Sequence, residues 1–292
     1  MDIVLPRQQD IWRWPAVVNF TVGSMGAGYY VWIWLAGVLA GGSDVQWEGS
    51  RAGIVAAGLI LSGFFALFFE SGNPLRSYFA LLNVQHSWMS RELWLAAAFV
   101  AFIGLHLIYP LMILVWAAAF VAFMFIVSQA FIIYKCRAIS PWNVRLILPL
   151  FILTGLSSGF GLFLIIEWRS GMSSTVPLLG GATWVACLVT FISYIRGFSL
   201  EDHDFRSATR RLRTVLSLLI GVWVGLVLPF ALLATVIGGG IAAYAQFMIA
   251  VAGVAAIVGA WRRNSDILIN SGNFRRIGLS LRLNGSEDAR RG

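Results

Sequence analysis

Residues 92–134 read ELWLAAAFVAFIGLHLIYPLMILVWAAAFVAFMFIVSQAFIIY. These 43 residues are apolar nearly throughout, and the number of times they cross a bilayer decides the fold. One crossing of the hydrocarbon core takes about 20 mostly apolar residues. The stretch is too long for one crossing and long enough for two. The breaker is Tyr109-Pro110, because proline lacks the N–H that a continuing helix needs. The sequence therefore predicts helices over 92–109 and 111–134, joined by a tight turn.

Working outward, six more runs meet the same demand: 15–40, 52–70, 146–166, 174–195, 214–236 and 241–261. Gly238-Gly239-Gly240 supplies the last turn. Of 292 residues, 59% are hydrophobic and 12% charged, with mean hydropathy +0.81. A soluble domain carries about 25% charged residues, so this chain cannot cover a water-facing surface. A soluble protein, a disordered chain and a disulfide scaffold are excluded. The expected fold is an all-α integral membrane protein with eight transmembrane helices. Two four-helix bundles are expected, over 1–145 and 146–261, followed by a cytoplasmic tail, 262–292.

The charges test that count. With eight crossings, 19 of the 21 Lys+Arg fall on the side holding both termini, and only Arg51 and Arg169 fall on the other. Fusing the helices on either side of Pro110 would split the basic residues 5 to 16. The positive-inside rule then places both termini in the cytoplasm and the chain in the inner membrane. The net charge of +8 reads as topology and not as nucleic-acid binding. The loop bearing Arg206, Arg210, Arg211 and Arg213 could also attract anionic lipid. Trp12, Trp14, Trp88, Trp142 and Trp261 sit at the cytoplasmic interface, and Trp47 and Trp168 at the opposite one, as aromatic belts do.

The N-terminus lacks the short apolar region and cleavage site of a signal peptide. Cys136 and Cys187 form no CxxC or Cys/His cluster, so no metal site is expected in the chain. A membrane haem commonly takes two histidines from the helices. Only His106 is in a helix, since His86 and His203 are in loops, so no haem is expected. An offset of 134 maps Pro15 onto Pro149 and Gly23-Ser24 onto Ser157-Ser158, a faint parallel repeat.

Polar residues inside a membrane are costly and tend to mark function. Asn19, Glu70, Glu92, Gln129 and Tyr134 lie toward the cytoplasmic side, and His106 and Glu167 toward the other. Each also has a plain reading. Asn19 could bond a neighbouring helix, and Tyr134 could anchor at the interface. Glu92 could complement the helix dipole behind an N-cap at Ser90, and Glu167 could sit among headgroups. Gly23/Ala27 and Ser24/Gly28 are small pairs that let a backbone or flat ligand approach. Gly26-Ala27-Gly28 is no dinucleotide fingerprint, because no strand precedes it.

Three segments carry a resemblance. They are Trp12-Arg13-Trp14-Pro15 with Asn19 and Gly23–Gly28; Gly72-Asn73-Pro74-Leu75-Arg76 with His86-Ser87-Trp88-Met89-Ser90-Arg91-Glu92; and Tyr134-Lys135 with Pro141-Trp142-Asn143. Together they resemble the NrfD/PsrC/DmsC-type membrane anchor subunits of molybdopterin oxidoreductases of the DMSO reductase family. The resemblance covers 10–145 well and the remainder by helix count. It implies eight helices and no haem, in the setting of anaerobic respiration. It also implies electron exchange between a quinone (menaquinone or ubiquinone) and a four-cluster iron–sulfur subunit bound to a molybdopterin catalytic subunit. Asn19 and Tyr134 match residues that hydrogen-bond the quinone in the polysulfide reductase anchor, with Trp88 and Gly23 expected beside them. A histidine of that anchor's first helix has no match, since Val22 stands near its place. Glu92 is the expected proton donor, with Arg91 and His86 the nearest substitutes.

The chemistry of these residues agrees. Amide and phenol groups can donate to carbonyls, and reducing a quinone requires an ionisable group within reach. With no metal ligands in the chain, electrons must come from a partner. If the site faces the cytoplasm, so do the partner subunits, which suits an internal substrate such as an acyl-CoA or sulfite. Two other readings remain at this level: a secondary transporter, whose polar residues would be expected near the midplane, and a redox-inactive membrane scaffold.

Overall fold

The computed structural model of the chain describes residues 9, 12–41, 45–70, 83–168, 175–197, 209–239 and 242–272. The Gly72–Arg76 motif, the basic loop up to residue 208 and the tail beyond 272 lie outside the described residues. Among the described residues, eight helices are long and apolar enough to cross a membrane. They are α1 (Trp14–Leu39), α2 (Val45–Glu70), α3 (Trp88–Ile108), α4 (Met112–Tyr134), α5 (Ile147–Glu167), α6 (Thr175–Gly197), α7 (Val215–Ile237) and α8 (Ala245–Asn270). The break at Tyr109-Pro110 is present: α3 ends at Ile108, Tyr109 turns extended, and α4 starts at Met112. Gly239 takes a φ of +80° in the last turn, a conformation open to glycine.

Two helices sit at the centre. α1 packs against α2, α4 and α5, while α5 packs against α1, α4, α6 and α8. α3 contacts α2 and α4, and α7 contacts α6 and α8. The α1–α5 crossing is backbone on backbone. A Cβ placed at Gly159 would lie 2.3 Å from the Gly28 carbonyl carbon, and one at Gly28 would lie 2.5 Å from the Gly155 oxygen. Small residues make such contact possible where apolar burial alone drives no association. The lipid-facing sides keep their bulk, with Phe65, Phe69, Ile113, Phe120 and Trp223 more than half exposed.

The approach to α1 meets the exit from α8. Gln9 N donates to Gly272 O at 2.7 Å, and the Gln9 side chain donates to Leu268 O at 3.1 Å.

Several expectations are corrected. The N-cap of α3 is Ser87, whose Oγ accepts from Ser90 N at 3.4 Å; Ser90 is inside the first turn. Trp142 is not an interface anchor: it is 2% exposed, and its Nε1 donates to Ile267 O at 2.9 Å. α8 continues past 261 through a π-helical turn, Asp266–Asn270, so Arg262, Arg263 and Asp266 are helical. The run of apolar residues stops at the arginines, but Arg262 pairs with Asp266 one turn on at 2.8 Å and the helix carries through.

Candidate functional site

Three helices bring one polar side chain each to a common point. Asn19 starts a π-helical stretch of α1, Asn19–Gly23, a local irregularity that frequently marks functional positions. Glu92 lies four residues into α3, and Gln129 lies five residues before the end of α4. At roughly 1.5 Å per residue these positions lie about 6–8 Å from the neighbouring ends of their helices. Asn19 Nδ2 donates to Glu92 Oε1 at 2.9 Å, and Gln129 Nε2 donates to the same oxygen at 2.9 Å. Gln129 Nε2 also reaches Asn19 O at 3.2 Å. All three side chains are at most 2% exposed.

Glycines make the room. A Cβ at Gly63 of α2 would stand 2.8 Å from Asn19 Oδ1. One at Gly23 would touch both Asn19 Oδ1 and Gln129 Nε2 at 3.5 Å. Gly23 therefore walls the cluster. Two acceptors in the cluster have no partner: Asn19 Oδ1 and Gln129 Oε1.

Beside the cluster, at the same end, lies an open cleft of about 680 Å³. His86, Trp88, Arg91, Phe131 and Lys135 are among its lining residues. Trp88 stacks on Phe131 with centroids 4.3 Å apart and planes 9° from parallel. Arg91 lies over the Trp88 ring at 4.3 Å, and its Nε and Nη2 donate to Val84 O and Gln85 O at 2.9 and 2.7 Å. Arg91 and His86 thus belong to the cleft, and neither bonds Glu92. Cys136 also lines it, and burial pushes its thiol above the ordinary range.

Tyr134 closes α4 five residues beyond Gln129. Its ring lies near Phe131 at 6.4 Å and under Lys135 Nζ at 5.7 Å, and its backbone oxygen accepts from Asn143 Nδ2 at 2.9 Å. No hydrogen bond joins it to Asn19, Glu92 or Gln129. The Glu70 side chain lies outside the described residues. At the opposite end, Glu167 is not among headgroups but 5% exposed. It accepts from Tyr29 Oη at 2.7 Å and from Arg51 Nη2 at 3.2 Å. Among the described residues, no group of three metal-ligating side chains occurs.

Gln129 was visible as a polar residue in an apolar helix but was not assigned to the site. It lies 37 residues from Glu92 in sequence, and the Tyr109-Pro110 turn folds α4 back to bring them together. Gly63 gave no signal, because its role is the absence of a side chain beside Asn19.

Fold and site together define a multi-pass membrane protein with a buried carboxyl held by amides from two other helices. Residues 8–210 match the family model described as DMSO reductase anchor subunit (DmsC), and the chain belongs to that family. The match passes the end of α6 and so exceeds the 10–145 on which the sequence resemblance rested. No curated protein matches the chain.

Proposed function

We propose that this membrane anchor subunit of a DMSO reductase-type complex binds a membrane quinone at the Asn19–Glu92–Gln129 cluster and exchanges electrons with an iron–sulfur subunit. That subunit would be a four-cluster protein linked to a molybdopterin catalytic subunit, and both would dock on the face carrying the termini. The observation that carries the reading is the sharing of the buried Glu92 Oε1 by two amides from two other helices.

The residues fit such a head group. Asn19 Oδ1 and Gln129 Oε1 remain as acceptors for hydroxyls of the reduced form. Asn19 Nδ2 has a second hydrogen for a carbonyl of the oxidised form. The Trp88–Phe131 stack offers a flat aromatic wall next to the cluster. A quinone supplies a two-electron, two-proton carrier. This chain's part is to bind and orient the ring, exclude water from it and hold a proton at the Glu92 carboxyl. Asn19 and Gln129 fix the carboxyl from two sides, so its position survives the loss of either bond. The 19-to-2 division of basic residues supports a cytoplasmic face for the site and its partners in the inner membrane.

The experiment is photolabelling of the native complex with an azido-quinone. Label on peptides spanning 14–25, 86–95 or 125–136 is expected. Label confined to the partners or to α6–α8 would contradict the assignment.

A further inference from the structure

Arg263 is a charged side chain that the quinone site does not use. It lies in α8, seven residues before Asn270, or about 10 Å from the end of that helix at roughly 1.5 Å per residue. It is 1% exposed. Its Nη1 donates to Gly221 O at 2.6 Å, while Nε and Nη2 have no partner. Those two atoms form one edge of the guanidinium, the edge that grips two oxygens of one oxyanion side by side. A buried cation is costly unless it is paired.

No carboxylate among the described side chains answers it. Glu92 takes two amides, Glu167 takes Tyr29 and Arg51, and Asp266 takes Arg262 and Asn270. The faint parallel repeat offers a comparison. The offset of 134 that maps Pro15 onto Pro149 also maps Gln129 onto Arg263. In the first half, the side chain at this position donates to a carboxylate oxygen supplied by α3. In the second half, α7 holds α3's place in chain order and presents Gly221 and Gly225 to the arginine. A Cβ at Gly225 would lie 3.0 Å from Arg263 Nη1. The donor is kept, but the acid is not. Exposed Arg210 and Arg211 at the same end of α7 would gather phosphate groups from the surface.

We infer that Arg263 holds a phosphate oxyanion from outside the chain, two of its oxygens lying on Nε and Nη2. The source is a lipid headgroup or free phosphate, and the test separates them. The full chain is placed in phosphatidylcholine nanodiscs, with phosphatidylglycerol added in one arm and inorganic phosphate in the other. Thermal midpoint and lipid retained in native mass spectrometry are read. A midpoint raised by several degrees is expected in one arm, with one phosphatidylglycerol retained if lipid is the source. R263Q should lose that response and R262Q should keep it. If R263Q does not fold, R263K retains the charge without the fork and should respond more weakly. No response in the wild type, or an undiminished one in R263Q or R263K, overturns the site.

Discussion

Asn19 and Glu92 stand 73 residues apart in sequence, and their side chains meet at 2.9 Å inside the helix bundle. The bond ties the first helix to the third at the depth where Gln129 arrives from the fourth. A carboxyl there satisfies two amides at once, and each amide keeps a carbonyl oxygen for something else.

Removing one amide tests that arrangement. Gln129→Met and Asn19→Leu each delete an amide that the quinone would meet, a hydrogen bond worth about 0.5–1.5 kcal/mol net. Quinone affinity of the assembled complex should fall several-fold, up to about tenfold, at about 1.4 kcal/mol per decade. Steady-state titration with a quinone analogue measures it.

Tyr134 provides the contrast, because its hydroxyl is outside the cluster. Tyr134→Phe should change quinone-linked turnover by no more than about twofold, the scale of a substitution worth about 0.5 kcal/mol. A larger loss would bring Tyr134 back into the site and move the ring's position toward the end of α4.

The α1–α5 crossing predicts a stability effect. Gly159→Val drives a side chain into the backbone at Gly28 and Tyr29, and overpacking typically costs about 1–3 kcal/mol. The thermal midpoint in detergent should drop clearly. Gly58→Ala is the control: a Cβ there meets nothing within 4 Å, and replacing a mid-helix glycine gains about 0.5–1 kcal/mol.

Topology is open to reporter fusions. The basic residues predict a cytoplasmic Gly292 and a non-cytoplasmic loop at 41–51, so fusions at the two places should give opposite signals. A periplasmic signal at Gly292 would reverse the side on which the partners dock.

The eight helices were legible because each apolar run is long and one Pro110 divides the longest. The fused alternative also failed on charge. Boundaries were less legible where polar residues are satisfied inside a helix. The apolar run of α8 stops at 261, yet the helix continues because Arg262 and Asp266 neutralise each other along it. In the site, Asn19, Glu92 and Gly23 could be named because polar and small residues stand out in lipid-like sequence. Their pairing depends on how α1, α3 and α4 are rotated about their axes, which apolar helices reveal poorly: α4 is hydrophobic on nearly every face. Trp142 misled for the same reason. Interfacial and core tryptophans look alike until a backbone acceptor such as Ile267 O is found for the indole.

The most direct test is Glu92→Gln in the assembled complex, with turnover measured against quinone and against a soluble dye that bypasses the membrane site. The substitution keeps the side chain's shape and removes its titrating proton. General acid–base catalysis is worth about a hundredfold or more, so quinone-linked turnover should fall by about that factor while dye-linked turnover is retained. Undiminished quinone turnover, or a parallel loss of both activities, would contradict a proton-handling role for Glu92.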